Sequence, residues 1–289
     1  MEILEMTALE LSRRIKSGEL SVRDALDALY TKIDACDERY RCYTTVSREE
    51  AYREADEVQR RLRAGELDDA PLAGVPVSVK DNICTKGILT SCSSKILSNF
   101  KPAYDATVVE RMRKAGMVVA GKLNMDEFAM GSSTETSYMH LTKNPYNTDC
   151  VPGGSSGGSA AAISSGEAIL TLGSDTGGSI RQPAALCGAV GMKPTYGSVS
   201  RYGLVAFASS LDQIGPLGKS VKDIAMLQSL ICGHDRRDAT SKNTEYPDYS
   251  AKLRNNLNGL KIGVPKEYFG EGIDLSLIHI SEPTRPEPI

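Results

Sequence analysis

The chain has 289 residues, of which 40% are hydrophobic and 25% charged, and its formal net charge is −3. That length holds one large α/β domain or two small ones around a sizeable core, and the ordinary composition marks a soluble globular protein. The charge balance excludes a basic nucleic-acid-binding field in the chain as a whole, leaving a partner to supply one. Seven cysteines include no C-x-x-C pair, so reduced thiols rather than a disulfide framework are expected. The acidic start Met1-Glu2-Ile3-Leu4-Glu5 has no signal-type apolar region and no run reaches membrane-spanning length, which points to the cytoplasm and away from a membrane. Only three histidines occur, His140, His234 and His279. They leave few places for a histidine base or a metal site, and no metal is expected.

Thr7-Ala8-Leu9-Glu10 is a capping-box pattern, and the helix it opens should stop at Gly18. Ser21-Val22-Arg23-Asp24 opens a second helix, with Val22, Leu26, Leu29 and Ile33 along one face. Ser47-Arg48-Glu49-Glu50 opens a third, running to Gly65, whose Arg and Glu run reads as a solvated face. Residues 1–70 are thus an N-terminal helical segment. The pattern then changes. Leu72 to Asn82 is an apolar strand ending in Lys80, Thr107 to Lys114 a helix closed by Gly116, and Met117 to Lys122 a second buried strand. Met125 to Met130 is a short helix, a further helix follows the Gly/Ser run at 153–159, and residues 168–173 form a strand. Ala189 to Lys193 is another strand, Ser220 caps a helix to Cys232, and Lys261 to Pro265 begins one more strand. Strands alternating with helices predict an α/β sheet with parallel pairs, buried on both faces. Residues 233–259 read as a connecting loop and 71–274 as the core. The proline-rich stretch 275–289 reads as a disordered or non-native tail.

One stretch organises the rest. From Val151 to Gly191 the chain holds two glycine-bracketed serine clusters, Gly153-Gly154-Ser155-Ser156-Gly157-Gly158-Ser159 and Thr176-Gly177-Gly178-Ser179. Paired glycines beside hydroxyls let backbone N–H groups converge on one point, as acyl-transfer enzymes need for a nucleophile and its oxyanion hole. A flexible linker is the plain alternative, but a linker would not run into Ala160-Ala161-Ala162-Ile163 and then Ala168-Ile169-Leu170-Thr171-Leu172. A serine hydroxyl needs a base. With histidine scarce, Lys80 at the end of an apolar strand can serve if burial keeps its amine neutral. A second serine between lysine and nucleophile would relay the proton. The amides around Gly177, Gly178 and Ser179 would face the oxyanion, each worth roughly 3–4 kcal/mol of barrier.

Lys80 in SVKDN, Ser155 in PGGSSGGSAAA and Ser179 in GSDTGGSIRQPAA resemble the amidase signature family. The resemblance runs from about Thr7 to about Asp274. It implies a mixed central sheet flanked by helices on both faces, with the C-terminal part of that fold missing here. It also implies Ser179 as nucleophile, Ser155 as bridging serine in a cis peptide, and Lys80 as base. The oxyanion hole falls on Thr176, Gly177 and Gly178 with the Ser179 amide, and Met130, Gly131, Ser132 and Asp175 fall near the substrate. The stretches 121–135, 193–216 and 259–274 narrow the resemblance to the branch that hydrolyses L-glutamine and passes ammonia to a partner subunit, which amidates Glu-tRNA(Gln). The resemblance places no cofactor in this chain and ATP and Mg in the partner, within a complex containing subunits B and C. Met139-His140-Leu141 departs from the Gly-Pro pair that many relatives carry there. Groups that hold the ends of glutamine lie in the family beyond Asp274, so a general small-molecule amidase and an inactive scaffold are the alternatives.

Other chemistries fit less of the chain. Gly154-Ser155-Ser156-Gly157-Gly158 satisfies G-x-S-x-G with Ser156 central, but a nucleophile elbow needs a downstream histidine and only His234 can be placed. No Gly-Lys-Ser/Thr follows the glycines to make a phosphate loop. Ser98-Asn99-Phe100-Lys101 matches S-x-x-K without the S-D-N or K-T-G that penicillin-binding proteins carry.

Overall fold

Two capped helices set the entry of the chain. Thr7 Oγ1 accepts the Glu10 N–H (3.2 Å) and opens α1 (Ala8–Lys16), which buries Leu11 and Ile15. Ser21 and Asp24 exchange side-chain and backbone hydrogen bonds of 3.1 and 2.7 Å, the reciprocal cap of α2 (Val22–Tyr40). The buried stripe of α2 is Val22, Leu26, Leu29 and Ile33, as its 3.6-residue spacing requires. A computed structural model describes residues 2–261 and 263. Met1–Leu253 is one compact unit and Arg254–Ile289 a second.

After Arg41, in the left-handed region at φ 54°, the chain does not stay helical. Tyr43–Val46 is β1, the outer strand of the sheet, followed by α3 (Arg48–Arg63), which buries only Ala51, Ala55 and Val58. The helical segment therefore contributes a strand. The remaining elements are β2 (Pro76–Lys80), α4 (Thr107–Lys114), β3 (Val118–Leu123), α5 (Gly157–Ser165) and β4 (Leu170–Asp175). Then come α6 (Arg181–Leu186), β5 (Val190–Gly191), β6 (Gln213–Gly218) and α7 (Val221–Ile231). The sheet order is β1-β3-β2-β4-β6-β5. Strand β2 is parallel to both β3 and β4, and the other pairs are antiparallel, so the sheet is mixed. Every residue of β2, β3, β4 and β6 is buried, which requires cover on both faces. Asp223 of α7 accepts the Ala8 and Leu9 N–H groups (3.1 and 3.2 Å), tying the first helix to the far end of the sheet. All seven cysteines are free thiols.

Several expected elements differ. The helix expected over Met125–Met130 is a 3₁₀ turn, Glu127–Ala129, because Phe128 and Ala129 take positive φ and Asp126 turns its carboxylate onto later amides. The strand expected over 189–193 is two residues long, since Pro194 has no N–H to continue a ladder. Helix α6 forms despite Pro183, which sits in the first turn where an N–H has no intrahelical partner. Of the strand expected from Lys261 to Pro265 only Lys261 and Gly263 are described, and the tail at 275–289 lies outside the described residues.

Tyr43 stitches β1 to its surroundings. Its hydroxyl, fully enclosed, donates to the Glu167 carbonyl (2.7 Å) and meets Ser78 Oγ at 3.0 Å. Tyr43→Phe strands both groups and should lower stability by about 1–3 kcal/mol, read as a shifted denaturant midpoint at unchanged slope.

Candidate active site

Strands β2 and β4 are parallel neighbours with Val79 beside Leu172, so they end on the same edge of the sheet. Open α/β sheets bind ligands at such carboxyl-terminal edges. Lys80 closes β2 and is wholly buried. Its amine lies 2.7 Å from Ser155 Oγ, 2.9 Å from Ser174 Oγ and 3.3 Å from the Ser174 carbonyl. Asn82 Nδ2 donates to the same Ser174 hydroxyl at 3.0 Å. Burial pushes the Lys80 amine down to about 7, against the opposing pull of the Asp126, Asp175, Cys92 and Asp212 side chains. A neutral amine has two N–H groups and one lone pair. The Ser174 carbonyl can only accept, and the Ser174 hydroxyl oxygen already takes the Asn82 amide. The lone pair can therefore accept from either the Ser155 or the Ser174 hydroxyl, and in the first case Ser155 can give up a proton.

Ser155 is also fully buried and sits just before α5, and the Gly154–Ser155 peptide is cis. Glycine is required at 154 for space: a Cβ there would lie 2.1 Å from Asp126 Oδ2 and 2.7 Å from the Ser133 nitrogen. Gly154→Ala should cost about 1–3 kcal/mol in a thermal or denaturant melt, the range for overpacking, and should slow any chemistry that depends on Ser155.

Ser179 lies two residues before α6 and is half-buried, with Thr176 and Gly178 half-buried and Gly177 exposed. The serine predicted to react is thus reachable from solvent, whereas the serine and lysine behind it are not. Asp175 shapes this loop. Its carboxylate accepts N–H groups from Gly178 (2.8 Å), Ile180 (3.1 Å) and Arg181 (3.3 Å), and both oxygens meet the Arg181 guanidinium at 3.0 Å. Burial would raise the Asp175 carboxyl, but the Arg181 guanidinium and these amides hold it below the usual range. Both Asp175 oxygens are thus engaged by the loop itself. The Gly178 amide, expected to face an oxyanion, instead points inward to Asp175, while the Gly177 and Ser179 amides have no partner among the described residues. Gly178 takes φ 129°, a conformation reserved for glycine.

Met130, Gly131 and Ser132 are exposed and form the rim. Gln182 of α6 joins the rim to the core of the site, donating to the Ser132 carbonyl (3.0 Å) and accepting the Gly154 N–H (2.9 Å). Ser174, Asn82, Asp126 and Gln182 were not singled out by the sequence reading. Each lay inside a stretch that carried the resemblance: Asn82 in SVKDN, Ser174 and Gln182 in GSDTGGSIRQPAA, and Asp126 in 121–135. Ser156 is a buried clasp, its Oγ donating to the Ser174 carbonyl (3.1 Å) and accepting the Ser174 N–H (3.3 Å). His234 is spent on the turn after α7, with Nδ1 against the Ser241 carbonyl. Neither fits a nucleophile elbow.

A buried lysine near neutrality, a buried serine bonded to it and a reachable serine beside unpaired amides lie along one edge of a mixed α/β sheet. The chain belongs to the amidase family, which it matches over residues 24–282. It is 56% identical over 274 residues to the A subunit of the glutamyl-tRNA(Gln) amidotransferase of Lachnoclostridium phytofermentans, covering 95% of this chain and 56% of that one. The crystal structure of the corresponding A subunit from Thermotoga maritima superposes with a TM-score of 0.83 at 42% identity, covering 96% of this chain and 58% of that one. The native peptide amidase of Stenotrophomonas maltophilia superposes with a TM-score of 0.81 at 37% identity, covering 86% and 53%. The chain spans about half the length of the curated relatives it matches. No helix among the described residues is long and apolar enough to cross a membrane.

Proposed function

We propose that the chain carries the amide-hydrolysing centre of a tRNA-dependent amidotransferase. The observation that carries the reading is the enclosed Lys80 amine, down to about 7 and 2.7 Å from Ser155, on the edge that also bears Ser179. Lys80 takes the Ser155 hydroxyl proton while Ser155 takes that of Ser179, and Ser179 Oγ adds to the amide carbon. The oxyanion is met by the Gly177 and Ser179 amides, with Thr176 beside them. On collapse the proton returns from Lys80 through Ser155 to the leaving nitrogen, and ammonia departs. Water then hydrolyses the Ser179 ester by the same relay, releasing the acid. Met130, Gly131 and Ser132 border the substrate, and Asp175 holds the oxyanion loop.

The substrate assigned is L-glutamine, and the ammonia goes to partner subunits, B and C, that convert Glu-tRNA(Gln) to Gln-tRNA(Gln) with ATP and Mg held by the partner. The chain itself uses no cofactor and works in the cytoplasm, with no membrane partner. Identity above one half to the corresponding subunit of that enzyme in several bacteria supports this over a general amidase. The test is ammonia release from L-glutamine set against acetamide and a peptide amide. Selective turnover of glutamine is expected. Equal turnover of all three would make the chain a general amidase, and none at all, with Ser179 inert to acylating reagents, would make it a scaffold.

A further inference from the structure

Asp126 follows β3, is fully buried and has no part in the relay above. Its Oδ2 accepts the Thr134 N–H (3.0 Å), and its Oδ1 accepts the Thr136 hydroxyl (2.9 Å) and N–H (3.4 Å). Its own N–H donates to the Ser155 carbonyl at 3.2 Å. Two glycines press on the carboxylate. A Cβ on Gly131 would lie 2.3 Å from Asp126 Cγ, and one on Gly154 2.1 Å from Oδ2. The carboxylate is therefore wedged between the rim of the site and the residue joined to Ser155.

All of these donors are neutral, and no cation pairs with Asp126 among the described residues. Both oxygens accept N–H groups, which a neutral Asn with a single acceptor oxygen cannot match, so these donors favour a carboxylate here, and its charge also acts on the Lys80 amine. The charges that act on the Lys80 amine are those of Asp126 foremost, then Asp175 at the end of β4, Cys92 in the loop after β2, and Asp212 before β6. Asp175 is matched by the Arg181 guanidinium. Cys92 is a neutral thiol, pushed up to about 12 by burial. Asp212 acts most weakly of the four and is engaged by the Thr176 hydroxyl and the Phe207 and Ala208 amides.

We propose that Asp126 is a positioning residue for the lysine–serine pair, its carboxylate packing the Gly154–Ser155 turn against the 131–136 loop and its charge setting the pH at which Lys80 becomes a neutral base. This rests on the Lys80–Ser155–Ser179 chemistry proposed above. A nearby negative charge favours the ammonium form and so opposes the effect of burial. The balance keeps the base near working pH, where it is most effective; a lysine neutral at much lower pH would be a weaker base.

The test is the pH dependence of Ser179 sulfonylation in the 289-residue chain by phenylmethanesulfonyl fluoride, followed by intact mass. The wild type should show an acid limb near pH 7. Asp126→Asn, or Asp126→Ser should the first not fold, should move that limb down by about 0.5–1 unit and lower the plateau several-fold. Thr136→Val keeps the carboxylate while removing one of its donors, and should leave the limb in place. An unmoved limb in a folded neutral variant, or an equal shift in Thr136→Val, would overturn the proposal alone. Labelling absent from the wild type, or persisting in Ser179→Ala, would overturn the site chemistry and this inference with it.

Discussion

Ser179→Ala is expected to abolish amide hydrolysis and acylation, a loss of about 10⁴-fold or more of the kind seen when a serine nucleophile is removed. The side chain is half-buried with no hydrogen-bond partner among the described residues, so folding stability should change by less than about 0.5 kcal/mol. Ser156→Ala should behave in the opposite way. It removes a clasp onto Ser174, which should cost roughly 1 kcal/mol of stability, yet it leaves the Lys80–Ser155 contact in place and should keep most of the activity. Ammonia release and sulfonylation of both variants, with melts alongside, decide between them. Activity lost in Ser156→Ala and kept in Ser179→Ala would reinstate the nucleophile elbow.

Lys80→Met is expected to lower the rate by about 10³-fold or more while the protein stays folded, because a relay without its base leaves only the oxyanion donors and binding. Methionine fills a similar volume and removes a desolvated amine, so stability should change little or rise at neutral pH. The sign of the pH effect follows from the lowered amine. In the unfolded chain Lys80 holds its proton to its ordinary value of 10.5, and in the folded chain only to about 7. Between those values the unfolded state binds more protons, so the Lys80 contribution makes stability rise with pH across that window and flatten outside it. Denaturant midpoints at pH 6.5 and pH 9 should diverge in the wild type and lose that share of the difference in Lys80→Met. An unchanged difference, or retained glutaminase activity, would remove Lys80 from the role of base.

Much of this was legible because it is local. Helices α1, α4 and α7 begin and end near their predicted limits and α2 begins at its predicted cap, since caps, glycines and apolar stripes act within a few residues. Strand β1 was hidden: four residues between two strong helices have too little periodicity to register, and what stabilises them is pairing with β3, some eighty positions away. Strand β6 was hidden for another reason, because Gly215 and Pro216 argue against a strand until β4 supplies a continuous partner for all six of its residues.

For the site, the sequence by itself determined the chemical inventory. Two serines in glycine brackets, one lysine closing an apolar strand and a shortage of histidine narrow the choice of nucleophile and base, because backbone freedom and side-chain type are properties of single residues. Only the tertiary structure decided how the inventory is wired. Lys80 reaches Ser174 across 94 positions because β2 and β4 lie side by side, the Gly178 amide turns inward because Asp175 claims it, and Asp126 meets Gly154 across the mouth of the site. Hydrogen-bond direction and local dielectric depend on neighbours that only folding supplies, so the Lys80 amine acquires its character as a base from the enclosure around it.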